Sequence, residues 1–335
     1  MTVQHSDHLR ADVFVHSALI FGTTGEAAAA LIPELRRSAI AYDEVLLVVG
    51  EPIRALLAER VGDLGGVLRS GDPAAFYQRL GFAYEGFRRY LAEQADAGRR
   101  VHVIAEPELA DGLDDGLRDD RTTAFLAYEA ICNETYAPYG SAVTCLWDSR
   151  HHPATVLDGV RSTHSHLLTP AGSRPSAQYM APDAYLAGRR HESLAAVPRD
   201  VDHDHTLTGV AQLSALRSAL TGWAAGQGFA EEPADDLVVA VVEIASNGLR
   251  HAGTPVRVRA WRRGDTLVVQ CDDSAGMPVP ATAGYHRPGA TGAVPGGRGL
   301  WLARQLADIV LVDSAAGRTS VRLHFPYAVM HRRPA

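Results

Sequence analysis

The chain has 335 residues, 46% of them hydrophobic, and a formal net charge of −7, which allows about two packed domains and gives no electrostatic reason to bind nucleic acid or an anionic membrane. No apolar run is long enough to span a bilayer, the opening MTVQHSDHLRADV lacks an apolar signal core, and Cys132, Cys145 and Cys271 are too scattered for a disulfide framework, so a cytoplasmic protein is expected. All 32 long basic residues are arginine, which excludes a Walker P-loop, a conventional protein-kinase site and a Schiff-base enzyme, and leaves phosphate to arginine, backbone N–H groups or a metal.

In chain order, the first half alternates short apolar strands (Ala18–Phe21, Val45–Val49, Val101–Ile104, Val143–Trp147) with helices (Glu26–Ala41, Ile53–Glu59, Ala74–Ala97, Thr122–Thr135, Pro153–Val160). That alternation predicts an α/β domain over residues 1–170, a mostly parallel sheet flanked by helices. Glu51 and Glu106 each precede a proline at a strand end, where open α/β sheets place ligands; both equally suit capping of the following helix. From 171 to 206 the chain turns proline-broken and reads as a linker with one short helix near Ala184–Ala195.

From 207 to 330 the order changes. Leu207–Gln227 and Asp235–Arg250 read as helices, Val256–Trp261 and Thr266–Cys271 as a hairpin, and Pro278–Gly297 as a glycine- and proline-rich loop. A third helix over Leu300–Ala307 and a second hairpin, Ile309–Asp313 with Ser320–Phe325, complete it. This order predicts an antiparallel or mixed sheet with helices layered on one face.

Four features of this second half carry chemistry. Glu243, Asn247 and His251 follow one another at four-residue steps on an otherwise apolar helix, where polar groups cost free energy unless something pairs with them. A metal ion and a phosphate would serve. Asp272-Asp273-Ser274-Ala275-Gly276 follows a strand, and a carboxylate there can accept a hydrogen bond from an exocyclic amine. Gly296-Gly297-Arg298-Gly299-Leu300 opens a helix, whose free N–H groups favour phosphate, with Arg298 adding charge. The loop between them has the length of a lid or of a disordered segment.

In this order and spacing the motifs resemble the GHKL ATPases, and most closely the bacterial anti-sigma-factor serine kinases of the RsbW type. Glu243, Asn247 and His251 match E-x-x-x-N-A-x-x-H, with Gly248 in the alanine place; Asp272 and Gly276 match D-x-G-x-G, with Ser274 in place of the first glycine. Gly297, Gly299 and Leu300 match G-x-G-L, and Gly317 with Thr319 the closing G-x-T. The resemblance implies a two-layer α/β sandwich (the Bergerat fold) that binds ATP and Mg²⁺. It implies that Asp272 accepts the adenine amino group with support from Thr319, and that Asn247 ligates Mg²⁺. Gly276, Gly297 and Gly299 would let lid and helix close on the phosphates, and Glu243 would be the general base for a serine or threonine hydroxyl. For His251 it implies a place in the motif, with packing as the alternative.

The first half resembles a MEDS-type sensory domain, through Ala18–Phe21, the Leu46–Val49 strand with Gly50-Glu51-Pro52, Tyr128-Glu129, Cys145-Leu146-Trp147-Asp148 and Thr163-His164. Together the resemblances imply a regulator that senses a small molecule or protein through its first domain. Its second domain would act as an anti-sigma factor, a kinase of an anti-sigma factor antagonist, or both, and a homodimer is compatible with the family. An inactive ATP- or partner-binding module is the alternative, and an ATP hydrolase a third reading. His151-His152, His164/His166 and His203/His205 match no standard zinc spacing, so no structural metal is expected from them. Arg190-His191-Glu192 echoes a phosphoacceptor box, but its surroundings are too proline-broken for a dimerising helix pair, so no phosphohistidine relay is expected.

Overall fold

Apolar strands that need covering on both faces build the first half. The computed structural model describes residues 14–107, 109, 113, 115–189, 194–274, 279–289, 297–315 and 317–331. Strands β1 (Val15–Phe21), β2 (Glu44–Val48), β3 (Leu68–Ser70), β4 (Val101–Ala105), β5 (Ala142–Asp148), β6 (His166–Thr169) and β7 (Gly172–Pro175) form a seven-stranded sheet in the order β3-β2-β4-β5-β1-β6-β7. Neighbours run parallel except in the β6–β7 hairpin. β2 and β4 are buried at every residue, as parallel strands between two helical layers must be. Helices α1 (Thr24–Ala41) and α2 (Glu51–Val61) cover one face. The short α3 (Pro73–Phe76), α4 (Leu80–Asp96), α5 (Asp115–Thr135) and α6 (Ala154–Thr163) cover the other.

Local chemistry sets these helix starts. Thr23 Oγ1 accepts the Glu26 N–H at 3.2 Å while the Glu26 carboxylate accepts the Gly22 N–H at 2.7 Å, a reciprocal cap at the head of α1. Glu106 accepts the N–H of Gly50, the residue before α2, at 2.9 Å, and so ties its strand end to the head of a helix that precedes it in the chain. The helix expected over Ala74–Ala97 is broken at 77–79, because tertiary partners take its backbone groups. The Leu80 N–H donates to Asp308 Oδ1 at 3.2 Å, and the Gln78 carbonyl accepts from Arg121 at 2.6 Å.

The second half begins earlier than expected. The presumed linker 171–206 carries β7 at its head, α7 (Pro182–Arg189) within it, and β8 (His203–Leu207) at its end. With β9 (Val256–Arg263), β10 (Thr266–Asp273), β11 (Ile309–Ala315) and β12 (Arg318–Pro326), β8 builds an antiparallel sheet ordered β11-β12-β10-β9-β8. Helices α8 (Leu213–Gly226), α9 (Glu231–Asn247) and α10 (Gly297–Leu306) pack on one face of it, and α11 (Tyr327–Met330) closes the described chain. The result is the two-layer α/β sandwich of the GHKL fold.

The two halves are joined by packing as well as by the chain. α4 and α5 lie against α10 and β11. A Cβ added to Gly81 of α4 would stand 1.9 Å from the Arg304 carbonyl oxygen, so only glycine permits this approach to α10. Between them the fully buried Arg121 donates to Asp308 at 2.8 Å, and Arg79 pairs with Asp236. Tyr285, in the described part of the long loop, meets Tyr128 of α5 edge-on at 5.1 Å and lies under the Arg304 guanidinium at 3.8 Å.

Candidate functional site

α9 buries Leu237, Val238, Val241, Val242, Ile244 and Ala245 against the sheet, which leaves Glu243 and Asn247 half-buried along one face. Glu231 and Glu232 stand in its first turn, where acids complement the helix dipole. Immediately after Asn247 the chain passes into a π-helical turn, Gly248–Ala252, so α-helical spacing ends at the carboxamide. The His251 side chain lies outside the described residues.

The carboxamide of Asn247 rests against the first turn of α10. A Cβ built on Gly299 would fall 2.1 Å from Asn247 Nδ2, so any larger residue there would expel the amide. Gly297 opens α10, Arg298 is exposed beside it, and Leu300 is buried in the core. Gly284 of the long loop packs on Leu300: a Cβ there would lie 2.7 Å from Leu300 Cγ. The described part of the loop therefore lies directly on the glycine-opened helix.

At the end of β10 the structure separates the two neighbouring acids. Side chains alternate across a strand, and Leu267, Val269 and Cys271 belong to the core beneath α9. Asp273 continues that face. It pairs in register with Val256 and Thr319, and its Cβ and Oδ2 lie 3.7 Å from a Cβ position on Gly248. Asp272 is on the opposite face. Its Oδ1 accepts from Gln270 at 2.7 Å and from Ser320 at 2.6 Å, and Arg259 donates to Oδ2. Burial pushes the Asp272 carboxyl up, but these donors outweigh it and hold the group below its ordinary value. The resemblance puts Asp272 at the site, but strand parity sets Asp273, not Asp272, on the face beneath α9 and beside Gly248. The alternation of Leu267, Val269, Cys271 and Asp273 was the signal for it.

Of the other residues expected at the site, Asn247 and Gly299 touch, Gly297, Arg298 and Leu300 belong to the same first turn of α10, and Thr319 lies opposite Asp273. Glu243 is one turn upstream of Asn247 on α9. Gly276 lies outside the described residues, as do Arg190, His191 and Glu192. Gly248 stands in the family's alanine place for a packing reason: a Cβ there would come within 2.7 Å of Val256 Cγ2. Ser274 is exposed at the strand end.

Chemically, the arrangement offers a carboxamide oxygen, a ligand for a hard cation, next to a helix N-terminus that favours phosphate. It adds a carboxylate beside a buried threonine, an acceptor for an exocyclic amine. These groups fit Mg²⁺ and a purine nucleotide. A separate cavity of about 620 Å³ is walled by Trp261, Arg322 and His324 of the second sheet, by α5, and by Leu300 and Arg304 of α10, without Glu243, Asn247, Asp273 or Thr319.

A family model of the histidine kinase-like ATPase domain matches residues 208–325. A second, described as MEDS, the methanogen/methylotroph DcmR sensory domain, matches residues 15–165. No curated protein matches the chain.

Proposed function

We propose that this chain, a MEDS sensory domain joined to a histidine kinase-like ATPase domain, is an ATP-binding regulator that acts as an anti-sigma factor, as a serine/threonine kinase of an anti-sigma factor antagonist, or as both. The observation that carries the reading is the meeting of Asn247 with the glycine-opened turn of α10 while Asp273 and Thr319 stand together beside Gly248. Asn247 holds Mg²⁺, Asp273 receives the adenine amino group with Thr319 next to it, and the N–H groups at the head of α10 with Arg298 receive phosphate. Mg²⁺ supplies charge neutralisation at the phosphates.

Glu243 takes the proton of an attacking serine or threonine hydroxyl. That oxygen bonds to the γ-phosphorus as the bond to the ADP oxygen breaks. Positioning and electrostatics supply most of the rate. The first domain senses a small molecule or protein and reports through α4 and α5, which hold α10. Sigma factors and their antagonists are the proposed partners.

Incubation of the full chain with labelled ATP and candidate antagonists tests the reading. Wild-type protein should label an antagonist on serine or threonine, and Glu243→Ala should abolish labelling while ATP still binds. Normal transfer by Glu243→Ala removes the base assignment. Nucleotide binding by wild type without transfer to any antagonist assigns a partner-binding module instead.

A further inference from the structure

Four side chains remote in sequence meet inside the first domain. His16 of β1, Glu129 of α5, Cys145 of β5 and His164, directly after α6, are all buried, and one potential ligand atom from each lies within 4.8 Å of the others. Glu129 Oε2 is 3.1 Å from His16 Nε2 and 2.8 Å from His164 Nε2, and Cys145 Sγ is 3.6 Å from His16 Nε2. Tetrahedral bonds of about 2.0–2.3 Å set ligand atoms roughly 3.3–3.6 Å apart, so the cluster is already near the dimensions of a four-coordinate ion.

The far sides of the rings decide where the protons are. His164 Nδ1 is 2.8 Å from the Val160 carbonyl oxygen. A carbonyl only accepts, so Nδ1 carries the hydrogen and a neutral ring presents Nε2 as a bare lone pair. His16 Nδ1 is 3.4 Å from Cys132 Sγ, whose own hydrogen is donated to the Glu129 carbonyl at 3.1 Å. The sulfur also lies 3.6 Å from His16 Nε2, so it can accept from the nearer Nδ1 and leave Nε2 as the lone pair turned to the cluster. Both ring nitrogens converge on the same Glu129 oxygen, at 3.1 and 2.8 Å. One proton would serve one ring and leave the other lone pair facing a carboxylate. One divalent cation serves both.

We propose that this cluster is a zinc site, with Zn²⁺ bound by Nε2 of His16, Nε2 of His164, one Glu129 oxygen and the Cys145 thiolate. The thiol releases its proton to solvent as the Zn–S bond forms, and the two positive charges of the ion balance carboxylate and thiolate, leaving no net buried charge. Imidazole with thiolate suits zinc rather than magnesium or calcium, and each ring donates its other N–H to an acceptor behind it, as ligating histidines do. No local spacing reveals the set, because pairing of β1 with β5 and packing of α5 and α6 over them assemble it. On one side the cluster borders a cavity of about 40 Å³ lined by Tyr77, Tyr84, Phe87 and Phe125, room for one water-sized group.

The test uses the full-length chain, purified without chelator and without nucleotide. Elemental analysis should find close to one zinc per chain. Zn²⁺ added back after chelator dialysis should raise the melting temperature. Co²⁺ in its place should give a thiolate-to-cobalt charge-transfer band that disappears in Cys145→Ser. Folded wild-type protein that carries no zinc, and whose melting and absorption are unmoved by equimolar Zn²⁺ or Co²⁺, overturns the site even if Cys145→Ser fails to fold. A band that persists in folded Cys145→Ser overturns the ligand assignment, and stoichiometric iron or copper in place of zinc overturns the choice of metal.

Discussion

Asp273 is half-buried on the same face as Leu267, Val269 and Cys271, where it can accept a hydrogen bond from a ligand seated beneath α9. Asp272 already accepts hydrogen bonds from Gln270, Ser320 and Arg259 and has little left to offer. Asp273→Asn should therefore weaken binding of a fluorescent ATP analogue about tenfold or more, the worth of a charge-assisted hydrogen bond. Asp272→Asn should keep the affinity and lower the melting temperature. The reverse pattern would return the site to Asp272. Because the Asp272 carboxyl is held low, its stabilisation is complete above the ordinary value of about 3.9 and lost as pH falls below it. His324 contributes to a second window at higher pH. Burial first, then Arg322 and Arg263, push its imidazole down to about 3. Between that value and the ordinary one of about 6.5 the unfolded chain binds the proton and the folded chain does not, so stability should rise with pH there and level off above it. Melting temperatures from pH 4 to 7 should show this slope, and His324→Phe should reduce it, the rest coming from buried His16, whose imidazole is lowered to about 4.

Elements built on strong local periodicity were legible from sequence: the four central strands of the first sheet, α1, α5, α9 and both hairpins of the second. Those that exist through tertiary pairing were not. β3 and the β6–β7 hairpin are short edge strands with little apolar signal, and β8 alternates histidine with aspartate in what reads as a polar linker. The ordered motifs placed Asn247, Gly299 and Thr319 together, but motif alignment pointed to Asp272, and only strand parity separates it from Asp273. At α4, helical periodicity ran on through residues 77–79, where Asp308 and Arg121 from distant segments claim the backbone. Gly81 tests that contact by the sign of its effect. An exposed helical glycine gains about 1 kcal/mol on replacement by alanine. Here the added Cβ meets backbone at 1.9 Å, an overlap that costs about 1–3 kcal/mol and is relieved only by moving α4 off α10. Gly81→Ala should lower stability in urea unfolding; a gain would mean that α4 does not rest on α10 in solution.

For the molecule as a whole, α10 is held at both ends by different domains. Its first turn abuts Asn247 of the ATPase domain; its last turn and the residues after it meet Gly81, Arg79 and Arg121 of the sensory domain. On the proposed function, a shift of α4 or α5 would reach the helix that opens the proposed phosphate site through these packed contacts. The buried Arg121–Asp308 pair is the test of this linkage. Removing one partner of a buried ion pair costs about 3–5 kcal/mol, because a charge is left desolvated, whereas replacing both with apolar groups of similar volume is often near neutral. The full wild-type chain should melt in one transition that Mg·ATP shifts as a unit. Asp308→Asn should lose about 3–5 kcal/mol and split the transition in two. Arg121→Met with Asp308→Leu should recover most of that stability and restore a single transition. Were the single variant to melt like wild type, the two domains would not be coupled through α10, and input from the first domain would have to reach the nucleotide by another route.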